Sequence, residues 1–195
     1  LYLSFTTCLL KADLTGHVLT RVDGIVGHLG CIAWNAKERR VYASLEYKKD
    51  AIGRGIFQNL GISGEDVRDG FYMARFDVDK ITLPHMDAAD GVMDAVFLQE
   101  VYDDYTAPNH RYGCSGIDGT TFGPMPGSAD GKKYLFVAYG VYGATERPDN
   151  DDQVLLCYDI GRWDDFARPI SQQDMHTCGP ERPDRKFFVR TGNTT

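Results

Sequence analysis

The amino-acid sequence predicts an all-β fold built from repeated four-stranded antiparallel units. The first observation is an internal repeat, in which a short apolar run ends in an aspartate and an aliphatic or aromatic neighbour. It occurs as Leu9–Leu14, Met73–Val78 and Leu155–Ile160, and each copy follows another strand-like run. A second repeat aligns Gly30–Asn35 with Gly113–Asp118 without a gap. Self-similarity at this scale is typical of repeat architectures.

Composition supports the same class. Hydrophobic residues make up 43% of the 195 residues and aromatic residues 12%, which suits a folded domain with a sizeable core rather than a disordered chain. The many glycines and tyrosines favour short strands joined by turns. No segment sustains the i, i+3, i+4, i+7 pattern of a long amphipathic helix.

Each unit is divided into strands A to D, from the innermost to the outermost. The predicted strands are short, rich in β-branched and aromatic residues, and bounded by Gly, Pro, Asp and Asn. The first unit (roughly 1–26) comprises strands B, C and D at Leu1–Phe5, Cys8–Leu14 and His17–Val26. The second (27–102) comprises A to D at Cys31–Trp34, Val41–Tyr47, Phe71–Asp79 and Val96–Tyr102. The third (110–190) comprises Ser115–Phe122, Tyr134–Tyr139, Val154–Ile160 and Lys186–Arg190.

An acidic residue stands at the end of each predicted C strand, at Asp13, Asp77 and Asp159. A carboxylate at such a point can accept backbone N–H groups in an Asx-type turn. Asn35 and Asp118 are expected to do the same beside the A strands. We therefore predict a structural rather than a catalytic role for these side chains.

Four connections are longer than turns. Residues 48–70 and 140–152 join strands B and C, whereas residues 84–94 and 169–183 join strands C and D. Loops of this length in a compact repeat are usually functional or flexible.

One repeat resembles the blade of NHL and SMP-30/gluconolactonase-like β-propellers. In that pattern a Gly-bearing loop leads into a short innermost strand ending in Asp or Asn, and an x-[VL]-Tyr-[VA]-[AS] strand follows. Gly30–Asn35 with Arg40–Ser44 is the better match, and Gly116–Asp118 with Lys133–Ala138 is looser. The resemblance implies an innermost A strand and, by analogy, small-molecule chemistry. The histidines His28 and His110 stand where lactonase-type members carry Asn, which departs from an all-oxygen calcium site.

A propeller needs at least about four blades to close, and the sequence carries parts of three. We therefore expect one partial domain over residues 1–195, about half of a six- to seven-bladed ring and a fragment of a longer chain. The expected partners include the remaining blades, from the same full-length protein or from another chain.

In a propeller the D-to-A and B-to-C loops share one face, around the central channel. That face would carry His28, His110 and, at the end of a B strand, Glu46. Imidazole and carboxylate groups are common ligands of divalent metals, and imidazole is a general base near neutral pH. The prediction is a single divalent metal ion held by these three residues. The alternative is that the histidines bind loop backbone and border a solvated channel.

Arg54, Arg111, Tyr112 and Tyr139 are the predicted ligand-binding residues of the same face. The predicted function is small-molecule binding, and with a metal the expected chemistry is that of a hydrolase or lyase on a sugar-acid or lactone-like ligand. The alternative is a non-catalytic scaffold that binds a protein or a glycan through the same loops. Neither the substrate nor the compartment follows from the sequence.

Other classes are disfavoured. A net charge of -7 without a Lys/Arg cluster argues against nucleic acid, and no apolar run approaches the roughly 20 residues that span a bilayer. Five cysteines without CxxC spacing predict reduced, buried thiols rather than a disulfide scaffold or a zinc ribbon. The GxSxG, HExxH, P-loop and GxGxxG motifs are absent.

Overall fold

The computed structural model describes residues 1–65, 67–125, 127–140, 153–169 and 188–194. This part of the chain is mostly β-structure. Its strands are β1 (Tyr2–Phe5), β2 (Cys8–Ala12), β3 (Val18–Asp23), β4 (His28–Asn35), β5 (Arg40–Tyr47), β6 (Gly70–Asp77), β7 (His85–Asp87), β8 (Met93–Phe97), β9 (Gly119–Gly123), β10 (Tyr134–Gly140), β11 (Gln153–Tyr158), β12 (Arg168–Pro169) and β13 (Phe188–Thr194). Its α-helices are α1 (Ala51–Leu60), α2 (Gln99–Thr106) and α3 (Trp163–Phe166).

The strands form three sheets, none of which closes on itself. The first sheet has the order β1-β2-β3-β7, the middle sheet β12-β8-β6-β5-β4, and the last sheet β13-β11-β10-β9. Within each sheet the successive long strands pair antiparallel. The predicted class, antiparallel β-sheets in repeated units, is confirmed at this level.

Both faces of the middle sheet are buried. Successive residues of a strand point to opposite faces, and β5 places Val41, Ala43, Leu45 and Tyr47 in a cluster with residues of the first sheet and α1. Tyr42 points the other way, into a second cluster shared with the last sheet. The middle sheet is therefore the central layer of three.

Two of the long connections supply strands that cover sheet edges. Between strands C and D of the second unit, β7 pairs in parallel with β3 at the outer edge of the first sheet. Between strands C and D of the third unit, β12 pairs with β8 at the outer edge of the middle sheet. A bare strand edge invites pairing with another chain, so each connection protects the outer edge of the preceding sheet.

The 48–70 connection contains a helix that the sequence analysis treated as a glycine-rich loop. Asp50 caps the start of α1 by accepting from the Gly53 amide at 2.8 Å, and Gly61 ends it in a left-handed conformation with φ 68°. A Cβ at Gly53 would collide with the Lys48 carbonyl. This glycine permits close packing of the helix start, which a reading of glycines as loop residues misses.

The predicted strand Val96–Tyr102 is only partly correct. The strand is β8, which ends at Phe97, and α2 begins at Gln99. Val101 is buried and Tyr105, one helical turn later, packs against the same second cluster. Apolar residues at i and i+4 form one face of a helix, and the spacing of Val101 and Tyr105 fits a helix rather than the predicted strand.

Strand boundaries near the A strands also differ. β4 is longer than predicted, and a bulge lies between Leu29 and Ile32. β9 begins at Gly119, so the first residues of the predicted strand Ser115–Phe122 lie in the preceding loop. The 140–152 connection beyond Gly140, the 169–183 connection beyond Pro169, and residues 186–187 of the last predicted strand lie outside the described residues.

The turn acids behave as predicted. The Asp13 carboxylate accepts from the Thr15 and His17 amides, and Asp159 accepts from the Gly161 amide at 2.9 Å. Asp77 and Asn35 make equivalent contacts with amides two or three residues onward. Asp118 instead donates its backbone N–H to Ala138 as β9 begins.

In the part of the chain that the structure describes, no helix is long and apolar enough to cross a membrane.

The two-faced burial of the middle sheet predicts that its two faces are equally sensitive. Leu45→Ala on one face and Met73→Ala on the other, both at 0% exposure, should each lower the free energy of unfolding by about 2–5 kcal/mol. Leu83→Ala, at a position that is 59% exposed, should change it by less than about 0.5 kcal/mol. Urea denaturation measures all three. If either buried substitution costs no more than the control, that face is not packed as described.

Candidate functional site

The principal candidate lies where β5 ends and a loop from the last sheet meets it. We call it the upper junction; it comprises Glu46, Lys48, Asp50 and the loop of residues 109–118. The Glu46 carboxylate and the Lys48 ammonium are 2.8 Å apart, with their side chains only 4% and 7% exposed. Residues two apart on a strand share a face, so the Glu-x-Lys spacing brings the pair together as the strand leaves the sheet.

The buried pair holds the backbone of the loop. Glu46 accepts from the Ile117 amide at 2.5 Å, and Lys48 donates to the Ser115 carbonyl at 2.7 Å. Gly116 lies between these contacts with φ 139°, and a Cβ there would lie 2.6 Å from a Glu46 carboxylate oxygen. Only glycine therefore allows the loop to approach the carboxylate this closely.

Lys48 stays charged in this site. Burial pulls the pKa of its ammonium down, but the nearby Glu46 and Asp50 carboxylates outweigh burial, so the pKa is raised. A raised lysine pKa adds stability that is complete below the unfolded value of about 10.4 and is lost as the pH rises through the folded-state value. The pair is thus intact across the neutral range.

The loop itself is held in costly backbone conformations. Asn109, His110 and Tyr112 have φ values of 59°, 52° and 53°, and the glycines Gly113 and Gly116 also have positive φ. For residues other than glycine this region costs on the order of 1–3 kcal/mol each and persists only where the surroundings impose it. Such strain is found preferentially at ligand sites and active sites.

Two predicted ligand-binding residues meet on one carboxylate that the sequence analysis did not single out. Asp104 of α2 accepts from Arg111 at 3.0 Å and from the Tyr139 hydroxyl at 2.6 Å. Tyr139 is buried, and burial followed by the Asp104 contact raises the pKa of its hydroxyl above the usual range. Arg111 is 57% exposed, so it can reach a ligand. Tyr139 helps to hold Asp104, the carboxylate that Arg111 binds.

The other two predicted ligand-binding residues are Arg54 and Tyr112. Arg54 is exposed on α1 and donates to the Lys49 carbonyl at 2.5 Å. Tyr112 is half-buried and packs against the second core cluster. Burial raises the pKa of the neighbouring Cys114 thiol to about 12, so this loop offers no thiolate nucleophile at neutral pH.

The predicted metal ligands are only partly brought together. His28 is the cross-strand partner of Glu46, and its Nδ1 atom is buried without a hydrogen-bond partner among the described residues. His110 directs Nδ1 to the Tyr105 carbonyl at 2.5 Å and packs its ring 4.7 Å from the Tyr105 ring. The Glu46 carboxylate already pairs with the Lys48 ammonium.

In the described ranges, no three His, Cys, Asp or Glu side chains lie close enough to hold a metal ion. His28, Glu46 and His110 are therefore not gathered into one such group in this arrangement. The cysteines of the described residues, Cys8, Cys31, Cys114 and Cys157, are free thiols. Three of them are buried as predicted, whereas Cys31 is half-buried.

A second candidate lies at the opposite end of the middle sheet, and the sequence analysis missed it. This charged cleft encloses about 440 Å³ beside the carboxyl end of β6 and the helix α3. Its charged lining residues are Arg40, Arg75, Lys80, Asp77, Asp94 and Asp164. The available signal was the presence of Arg75 and Asp94 inside otherwise buried strands, where a charge needs a partner.

Comparison with known proteins identifies no relative: no family model, no curated protein and no solved structure matches the chain.

The upper junction yields a stability prediction. Lys48→Met leaves the Glu46 carboxylate buried without its cation, which should lower the free energy of unfolding by about 3–5 kcal/mol at pH 7. The double variant Glu46→Gln with Lys48→Met removes both charges and keeps an acceptor for the Ile117 amide, so it should regain most of that loss. Urea denaturation is the measurement.

The matched control is Lys132→Met, because Lys132 is 62% exposed and lies 3.9 Å from Asp159. An exposed pair of this kind contributes at most about 1 kcal/mol. Equal losses for Lys48→Met and Lys132→Met, or a double variant no better than the single one, would contradict the assignment of a buried ion pair.

Proposed function

We propose that the three sheets are consecutive blades of a β-propeller. Three observations support this: each sheet follows chain order from its inner to its outer strand, β4 packs against β1 and β9 of its neighbours, and each C-to-D connection covers the preceding sheet. Both faces of the middle sheet are covered by sheets of the same kind. This is the stacking that a ring of blades requires.

We further propose that the protein binds a small polar ligand at the upper junction. The observation that carries the proposal is the strained loop 109–118, fixed by a pair of buried charges. Glu46 and Lys48 form hydrogen bonds with the backbone of Ile117 and Ser115, so their role is to position the loop. The loop in turn fixes the backbone of Arg111 at the surface.

The chemistry of the exposed groups favours a sugar-acid-like ligand. Arg111 engages Asp104 through one nitrogen, and a guanidinium has five N–H donors in a planar fork that suits a carboxylate. Arg54 adds a second exposed cation from α1. The ring of His110, which is exposed, offers a flat surface of the sort that packs against sugars and other small rings.

Metal-dependent hydrolysis is not part of this proposal, because no three His, Cys, Asp or Glu side chains of the described residues lie close enough to hold a metal ion. The scaffold alternative has support from the same residues, because the exposed guanidinium groups of Arg54 and Arg111 would suit an acidic protein or glycan equally well. The binding experiment below separates the two.

The test is calorimetric titration of the protein with gluconate. Arg111→Ala should weaken binding by about tenfold or more, since a charge-assisted hydrogen bond contributes about 1.5–3 kcal/mol. Arg39→Ala is the matched control, because Arg39 is a comparably exposed arginine (65%) paired with Asp79 at the other end of the sheet. Its affinity should equal that of the unaltered protein.

Failure of the unaltered protein to bind gluconate, or equal affinities for the Arg111 and Arg39 variants, would overturn the proposal. Binding of an acidic oligosaccharide through Arg54 and Arg111 without binding of gluconate would favour the scaffold instead.

A further inference from the structure

The charged cleft lies apart from the upper junction. Arg40 begins β5 whereas Glu46 lies near its end, and six residues of strand at about 3.3 Å each separate them by roughly 20 Å. The volume of about 440 Å³ is within the range of small-molecule sites. No residue of the upper junction lines it.

Arg75 is held in place before any ligand arrives. Its guanidinium makes two hydrogen bonds to Asp94, at 3.1 and 2.6 Å, and lies 5.2 Å from the centre of the Trp163 ring. Trp163 is itself fixed by an indole N–H donated to Asp94 at 3.0 Å. A cation immobilised in this way loses little freedom when it binds an anion.

The outer side of Arg75 carries a carboxylate that is easily displaced. Asp164 lies 2.9 Å from the Arg75 guanidinium, yet its side chain is 86% exposed. An ion pair so exposed contributes little to stability. Asp164 therefore occupies a position on Arg75 that the carboxylate of a ligand can take with the same geometry.

Removing Asp164 changes the charge of the cleft. With Asp164 in place, the three cations Arg40, Arg75 and Lys80 face three carboxylates. Without it the cations exceed the carboxylates by one. Lys80 is 62% exposed, and its ammonium donates to the Gly91 carbonyl at 3.3 Å and lies 3.9 Å from Asp77. These contacts are exposed, so Lys80 can turn to a ligand with two acidic groups.

We propose that the charged cleft binds small organic dicarboxylates, with one ligand carboxylate replacing Asp164 on Arg75 and the other reaching Lys80. Asp164 then acts as an internal competitor that the ligand must displace. The complex is non-covalent, and the proposal stands independently of the upper junction.

The experiment is titration of the protein with succinate, monitored by amide chemical shifts and by calorimetry. Asp164→Asn should tighten succinate binding by roughly two- to fivefold, the range expected from loss of one exposed competing carboxylate. Asp165→Asn is the matched control: it makes the same charge change one residue away, where the carboxylate pairs with Arg162 at 3.2 Å. Its affinity should match that of the unaltered protein.

Lys80→Gln should weaken binding, and because Lys80 is exposed the fold should be unaffected. Arg75→Gln should abolish binding at succinate concentrations that saturate the unaltered protein. The proposal is overturned if neither the unaltered protein nor the Asp164 variant binds succinate, or if the Asp164 and Asp165 variants bind equally. Arg111→Ala should leave succinate binding unchanged, which separates this result from that for the upper junction.

Discussion

Burial of the middle sheet on both faces is the constraint on which the rest of the structure depends. A strand buried on both sides can offer its polar side chains no water, so a charged side chain there needs a partner within the protein. Along the β5 face that points to the last sheet, Tyr42 donates to Glu38 and Glu46 pairs with Lys48. Both candidate sites are therefore ends of one buried face, where its charges approach the surface.

The same constraint explains why the sheets have covered outer edges. Three stacked sheets bury their faces against one another but leave their strand edges bare. The connection between strands C and D is the nearest chain to the preceding sheet's outer edge, and it supplies β7 in one case and β12 in the other. β7 pairs in parallel with its neighbour and β12 pairs antiparallel. The covering of the edge therefore depends on where the connection lies rather than on one repeated sequence.

Much of this fold is predictable from local sequence. β5 and β6 were predictable because alternation and β-branched or aromatic content agree along them, and the turn acids because an Asx turn is a local interaction. The helix at Gln99–Thr106 was not, because tertiary packing of Val101 and Tyr105 decides between strand and helix in an eight-residue segment. The role of Gly53 was not predictable for a related reason. Gly53 lies in close contact with the Lys48 carbonyl, which no local pattern reveals.

The proximity of Glu46 and His28 was predictable, but the partner of Glu46 was not. Glu46 and His28 face one another across two strands, and Arg111 is exposed in the loop that Glu46 binds. The pairing of Glu46 with Lys48 follows from the need of a buried carboxylate for a cation. The same rule, applied to Arg75 and Asp94, also indicates the charged cleft. In a sheet buried on both faces, charged residues within strands thus indicate candidate sites that the histidines alone do not.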